Sequence, residues 1–219
     1  MRRIGSAVSR YPAGTTATEQ GEPCSSRSPV LPGSTGERLL HGSPCSVAVV
    51  PVGYRDAVHP IRRIGVAYNH TDEARAAVRG AAVLAEAFGA ELELIGVVSA
   101  ESFSTPALMG GGPSIAHLRE DVEQHVQETL DTAVAAVSAT VPATSVRLLG
   151  SPADELTARS HELDLLVIGS RGYGPLHSSL VGGVSGRVMR SAQCPVIVVP
   201  RGLAAPLGGL FDSTAATVA

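Results

Sequence analysis

The sequence predicts an α/β fold, a five-stranded parallel sheet with helices on both faces. Two patterns and one compositional fact point there. Short apolar runs of strand length alternate with longer segments of helical periodicity. The run Leu163 to Gly169, LDLLVIG, is apolar rather than alternating, as strands buried on both faces are. Hydrophobic residues make up 44% of the 219 and aromatics only 3%, so the core must come from Val, Ile, Leu and Ala.

Each element follows from local chemistry. Ile64 to Tyr68 is the first strand, and Asn69-His70-Thr71-Asp72 the turn after it. Asp72 to Phe88 reads as a helix, capped by Thr71 or Asp72. Val78, Ala81, Ala85 and Phe88 recur at helical spacing, and Gly89 ends it. Glu91 to Val98, ELELIGVV, is the second strand, followed by a long loop from Ser99 to Pro113. In the long helix that follows, Ile115, Leu118, Val122, Val126, Leu130, Ala133 and Val137 share a face opposite Arg119, Glu120, Glu123 and Gln127. Ser145 to Leu149 is the third strand. Pro152 opens a short helix reaching about His161. Leu163 to Gly169 is a central fourth strand, Gly183 to Ala192 a helix, and Pro195 to Val199 the fifth strand.

Composition removes several functions. All 17 basic residues are Arg, so neither a P-loop lysine nor a Schiff-base lysine exists. The net charge of -3 offers no footprint for nucleic acid or an anionic membrane. Cys24, Cys45 and Cys194 form no CxxC pair, and the His residues have no metal-ligand spacing. No signal-peptide or membrane-span pattern is present, so a soluble cytoplasmic protein is expected. No GxSxG elbow supports hydrolase chemistry.

In parallel sheets ligands sit beyond the carboxyl ends of the strands. That singles out Asn69 to Asp72 and the glycine loop from Gly169 to Gly183. The latter leaves a buried strand and enters a helix. Glycines let a backbone approach a ligand closely, and free N–H groups at a helix N-terminus suit an anion. By spacing alone the loop reads equally as a long turn.

The pattern Gly169-x-x-Gly172, nine residues, then Gly182 resembles the nucleotide-binding signature of the universal stress protein family. The resemblance runs from about Ile61 to Arg201 and includes VAYNHTDEAR, GSPADEL, DLLVIGSRGYG and CPVIVVPR. It implies a Rossmann-like sheet of strand order 3-2-1-4-5 that binds ATP, with Mg2+, without defined turnover. Ala67, Asn69 and Val97 would line the adenine and ribose pocket. Gly169, Arg171, Gly172, Gly182, Gly183, Val184 and Ser185 would cradle ribose and phosphates. Two positions depart from the family: Asn69 replaces its strand-one acid, and Gly183 its usual Ser or Thr. Ser185 offers a hydroxyl nearby.

An internal repeat adds to this. Gly33, Arg38, Cys45 and Val47 match Gly182, Arg187, Cys194 and Val196 in one register. Val49, Val50, Pro51 and Gly53 continue it against Val198, Val199, Pro200 and Gly202. The expected organisation is therefore a disordered segment 1–32, a remnant 33–51 of a first domain, a linker 52–60, the domain 61–201 and a flexible tail 202–219. In this family fifth strands pair antiparallel across a dimer seam. The chain is expected to dimerise there unless residues 46–50 cover that edge by pairing with Val196 to Val199. The functional expectation is a nucleotide-binding stress-response module rather than an enzyme. A family member that binds no nucleotide, or a slow ATP hydrolase, are the alternatives.

Overall fold

The computed structural model describes residues 45–51, 54, 60–99, 115–170 and 183–200. The segment to residue 44, most of the linker, the stretches 100–114 and 171–182 and the tail lie outside them. So do the expectations for Arg171, Gly172 and Gly182, and for the Gly33 to Arg38 half of the repeat. In chain order the elements are β1 (Val47–Val49), β2 (Arg63–Ala67), α1 (Asp72–Phe88), β3 (Glu91–Val98) and α2 (Ile115–Val137). There follow β4 (Ala143–Leu149), α3 (Pro152–Arg159) with a 3-10 turn (Ser160–Glu162), β5 (Leu165–Ser170), α4 (Val184–Ser191) and β6 (Val196–Pro200).

These strands form one sheet in the order β1-β6-β5-β2-β3-β4. The last five are mutually parallel, and counted from β2 they reproduce the expected order 3-2-1-4-5. Among the described residues the five expected parallel strands are joined by a sixth. Strand β1 runs antiparallel to β6, with Val47 opposite Val198 and Val49 opposite Val196. It occupies an edge that would otherwise present unpaired N–H and C=O groups. Residues 47–49 thus pair with the strand they resemble, in the same chain.

Alternate residues of β5 feed two cores. Leu165 and Val167 pack into the core with α1 and α2, while Leu166 and Ile168 join α3, α4 and β6 on the opposite face. A strand buried on both sides explains the continuous apolar run. On α1, the Thr71 hydroxyl accepts from the Ala74 N–H at 3.3 Å, and Gly89 closes the helix at φ 63, a left-handed conformation glycine adopts without strain. Ala74, Ala77, Val78, Ala81, Leu84 and Ala85 are buried. Phe88 departs from the expected stripe: it is 46% exposed, as the last helical residue before the chain turns at Gly89.

Polar ties close the end of the sheet away from the strand carboxyl termini. Arg159 binds Glu93 in a two-pronged pair, Nε to Oε1 at 2.7 Å and Nη2 to Oε2 at 2.6 Å, and reaches Glu162 with Nη1. This joins α3 to β3 and satisfies a glutamate whose side chain is only 11% exposed. Asp164 Oδ2 accepts from the Arg62 and Arg63 amides at 2.9 and 3.1 Å, and Tyr54 Oη donates to the Asp164 carbonyl at 2.9 Å. Tyr54 thereby fixes the chain between β1 and β2. Among the described residues, no helix is long and apolar enough to cross a membrane.

Two predictions follow from the edges and the core. Removing residues 1–51 uncovers β6, so sedimentation velocity should show concentration-dependent association of the shortened chain; unchanged mass across concentrations would contradict the covering role of β1. Cys194 is buried at the start of β6, and burial first, then the Asp164 charge, pushes its thiol up to about 12. At pH 8 it should resist a thiol reagent in the folded protein and react once denatured, whereas exposed Cys45 reacts in both.

Candidate functional site

Parallel strands end together, so the loops after β2 and β5 meet above the sheet. A cleft of about 480 Å3 opens there, within the roughly 300–1,000 Å3 of ligand sites. Seven of the sequence-selected residues line it: Ala67, Asn69, Val97, Gly169, Gly183, Val184 and Ser185. The fold brings them together from four elements and two turns, although they span more than a hundred positions in the chain.

One wall is apolar. Ala67 ends β2 and Ile168 lies two residues before the end of β5, Ile95 and Val97 come from β3, and Leu156 from α3. The other wall is polar. The N-terminus of α4 begins at Gly183, whose backbone is extended at φ -73, and no side chain caps it. The N-cap residue itself offers the first amides of α4 no hydroxyl or carboxylate acceptor. A Cβ on Gly183 would meet nothing within 4 Å. Neither space nor backbone angle requires glycine there.

Asn69 is held by a short relay. The Thr71 hydroxyl donates to Asn69 Oδ1 at 2.9 Å while accepting from the Ala74 N–H. Asn69 thus has its carbonyl occupied and its amide N–H groups left to meet a ligand. Between them His70 sits at φ 61, a left-handed angle unusual for a residue with a side chain. Its ring stands edge-on to Tyr68 at a centroid distance of 6.3 Å.

Gly169 lines the cleft, as the resemblance implies, and has a packing role besides. A Cβ there would lie 2.7 Å from the carbonyl carbon and 2.8 Å from the carbonyl oxygen of Glu73, and 3.0 Å from the Ala74 nitrogen. The glycine is needed for α1 to approach β5; it also lines the cleft. The sequence reading missed the residue on the other side of that contact. Glu73 lines the same cleft and is 8% exposed. Its signal was a carboxylate in the first turn of a helix that starts at a ligand-facing loop. Thr71 and Ser170 also line the cleft, within the two loops singled out from the sequence though not named individually as site residues.

The apolar wall suits a flat heterocycle, and the polar wall offers amides, hydroxyls and one carboxylate. Among the described residues, no three His, Cys, Asp or Glu side chains converge to hold a metal.

Substituting Gly169 by Ala should push α1 away from β5, costing about 1–3 kcal/mol as overpacking. Urea unfolding monitored by circular dichroism checks it; an unchanged midpoint would show that the contact yields freely.

Comparison with known proteins agrees with this architecture. The sequence profile of the universal stress protein family matches residues 60–200. A universal stress protein of Mycobacterium tuberculosis is 28% identical over 181 residues, covering 81% of this chain and 61% of the relative. The chain thus spans about 61% of the length of the mycobacterial relatives it matches. Bacillus subtilis YxiE is 30% identical over 141 residues, 61% of this chain and 95% of the relative. The solved UspA of Lactobacillus plantarum superposes with a TM-score of 0.54 at 25% identity, over 65% of this chain and 99% of that one. With the family profile spanning most of the folded part and the sheet order agreeing, the chain belongs to the universal stress protein family.

Proposed function

We propose that this chain binds an adenine nucleotide, ATP with Mg2+, in the cleft above β2 and β5, and acts in the cytoplasm as a stress-response binding module without defined turnover. The observation that carries the reading is the uncapped N-terminus of α4 facing an apolar wall across the cleft. Such a helix start presents N–H groups and a positive dipole end to phosphate, which suits a chain with no lysine. The apolar wall of Val97, Ile95 and Leu156 gives the adenine ring a surface to leave water. Asn69 replaces an acid with an amide, so it meets a ribose hydroxyl as donor. Arg171, Gly172 and Gly182 enter the proposal on resemblance alone.

Thermal denaturation with ATP and Mg2+ tests it. Ligand at a hundred times its Kd should stabilise the fold by about 2.7 kcal/mol. No shift with adenosine, AMP or ATP would favour a member of the family that works through protein contacts. Phosphate release in the same samples tests slow hydrolysis. Gly183→Ser adds a hydroxyl where the backbone already accommodates one. It should tighten ATP binding about 2- to 10-fold, the value of one added hydrogen bond, as read by calorimetry.

A further inference from the structure

The sheet has two edges, and the fold treats them differently. At one, β1 covers β6. At the other, β4 pairs only with β3, over seven consecutive residue pairs without a bulge. The Gly150 amide donates to the Val98 carbonyl, and the Pro142 carbonyl accepts from the Leu92 amide, so both face β3. Backbone groups alternate in direction along a strand. Those of Thr144, Val146 and Leu148 therefore also face β3, and those of Ser145, Arg147 and Leu149 face outward. Among the described residues nothing pairs with the outward groups. Natural edges are usually blunted by Pro, Lys, a bulge or shortness. The strand ATSVRLL has none of these. Its one charge, Arg147, is turned onto α2, where Nη1 donates to the Glu123 carbonyl at 2.8 Å and Nη2 pairs with Glu123 Oε2 at 3.5 Å. Leu149, at its end, is 42% exposed.

We propose that this edge docks an extended segment of another protein, one that alternates apolar and basic side chains. The two faces beside the edge set that pattern. On one face Val146 and Leu148 are half-buried against the core of α3 and α4, and apolar side chains of an added strand would lie next to them. On the other face α2 runs above the edge. Glu123 stands over Arg147, and Asp131 over Ser145, whose hydroxyl donates to Oδ1 at 3.4 Å. Glu120 continues this row one turn earlier. Glu120 and Asp131 have no cationic partner among the described residues. The donors that Asp131 holds, Gln127 and Ser145, are neutral. Basic side chains on the added strand would meet these charges. A second copy fits poorly, because pairing β4 with β4 would set two such acidic rows side by side. In strand addition the main chain supplies affinity and the alternating side chains supply selectivity.

Amide hydrogen exchange on the full chain, with a short peptide of alternating valine and arginine, is the direct test. In the free chain the Ser145, Arg147 and Leu149 amides should exchange at least about tenfold faster than those of Val146 and Leu148. The peptide should slow the three outward amides at least about tenfold and leave β1 and β6 unchanged. A peptide of alternating valine and glutamate should not bind. Calorimetry should show the arginine peptide weakened about 2- to 10-fold by Glu120→Gln combined with Asp131→Asn. A probe that leaves the protein unaltered stands beside the variant. Methylating alternate peptide nitrogens should abolish binding in one phase and spare it in the other, because only one set of N–H groups faces β4. Unprotected outward amides, protection at Val47 to Val49 instead, equal binding of the glutamate peptide, an unweakened variant, binding that survives methylation in both phases, or self-association through β4 in place of peptide binding would each overturn the proposal.

Discussion

The first turn of α1 rests on the end of β5, and Gly169 is what permits it. With a side chain there, a carbon would sit 2.7 Å from a backbone carbonyl carbon that has no means of moving alone. The contact sets where α1 begins relative to the sheet. It therefore also sets where Thr71, Asn69 and Glu73 stand. Thr71 serves two masters at this point, capping the helix and orienting Asn69 with one hydroxyl. The turn absorbs the geometric mismatch through His70 at φ 61, a cost the surrounding contacts outweigh.

The rest of the molecule holds that junction still. Burying β5 on both faces leaves it no freedom to slide, because a one-residue slip would exchange Leu166 and Ile168 for Leu165 and Val167 between cores. The Glu93–Arg159 pair fastens α3 to the sheet at the opposite end from the cleft. Strand β1 closes the β6 edge, and Tyr54 anchors the chain that leads from it. The rigid part of the fold thus surrounds a cleft whose walls come from different elements.

The sequence reading succeeded where chemistry is local. Strand runs, the Thr71 cap, the Gly89 stop and the Pro152 helix start depend on neighbours a few residues away, and each lies where its signal placed it. The order of the parallel strands came from resemblance, because periodicity carries no information about which strand neighbours which. The residues by themselves singled out the two strand-end loops; the individual site residues came from the family resemblance, and seven of them share one cleft. Glu73 was passed over because a carboxylate in a first helical turn normally reads as a dipole partner facing solvent. Gly169 lines the cleft and is also needed where α1 approaches β5, a contact its sequence position does not reveal.

By itself, the sequence determined the alternation of elements, the absence of any lysine chemistry, and the likeness of the β1 and β6 segments. These are properties of residues and their near neighbours. The sequence raised the pairing of residues 46–50 with Val196 to Val199, and the structure shows it; only the tertiary structure decided that Gly169 yields its space to a helix and that Glu73 of α1 lines the cleft. Those outcomes depend on distances between segments far apart in the chain. Steric exclusion and the pairing of backbone edges set such distances, and neither leaves a periodic trace in the sequence.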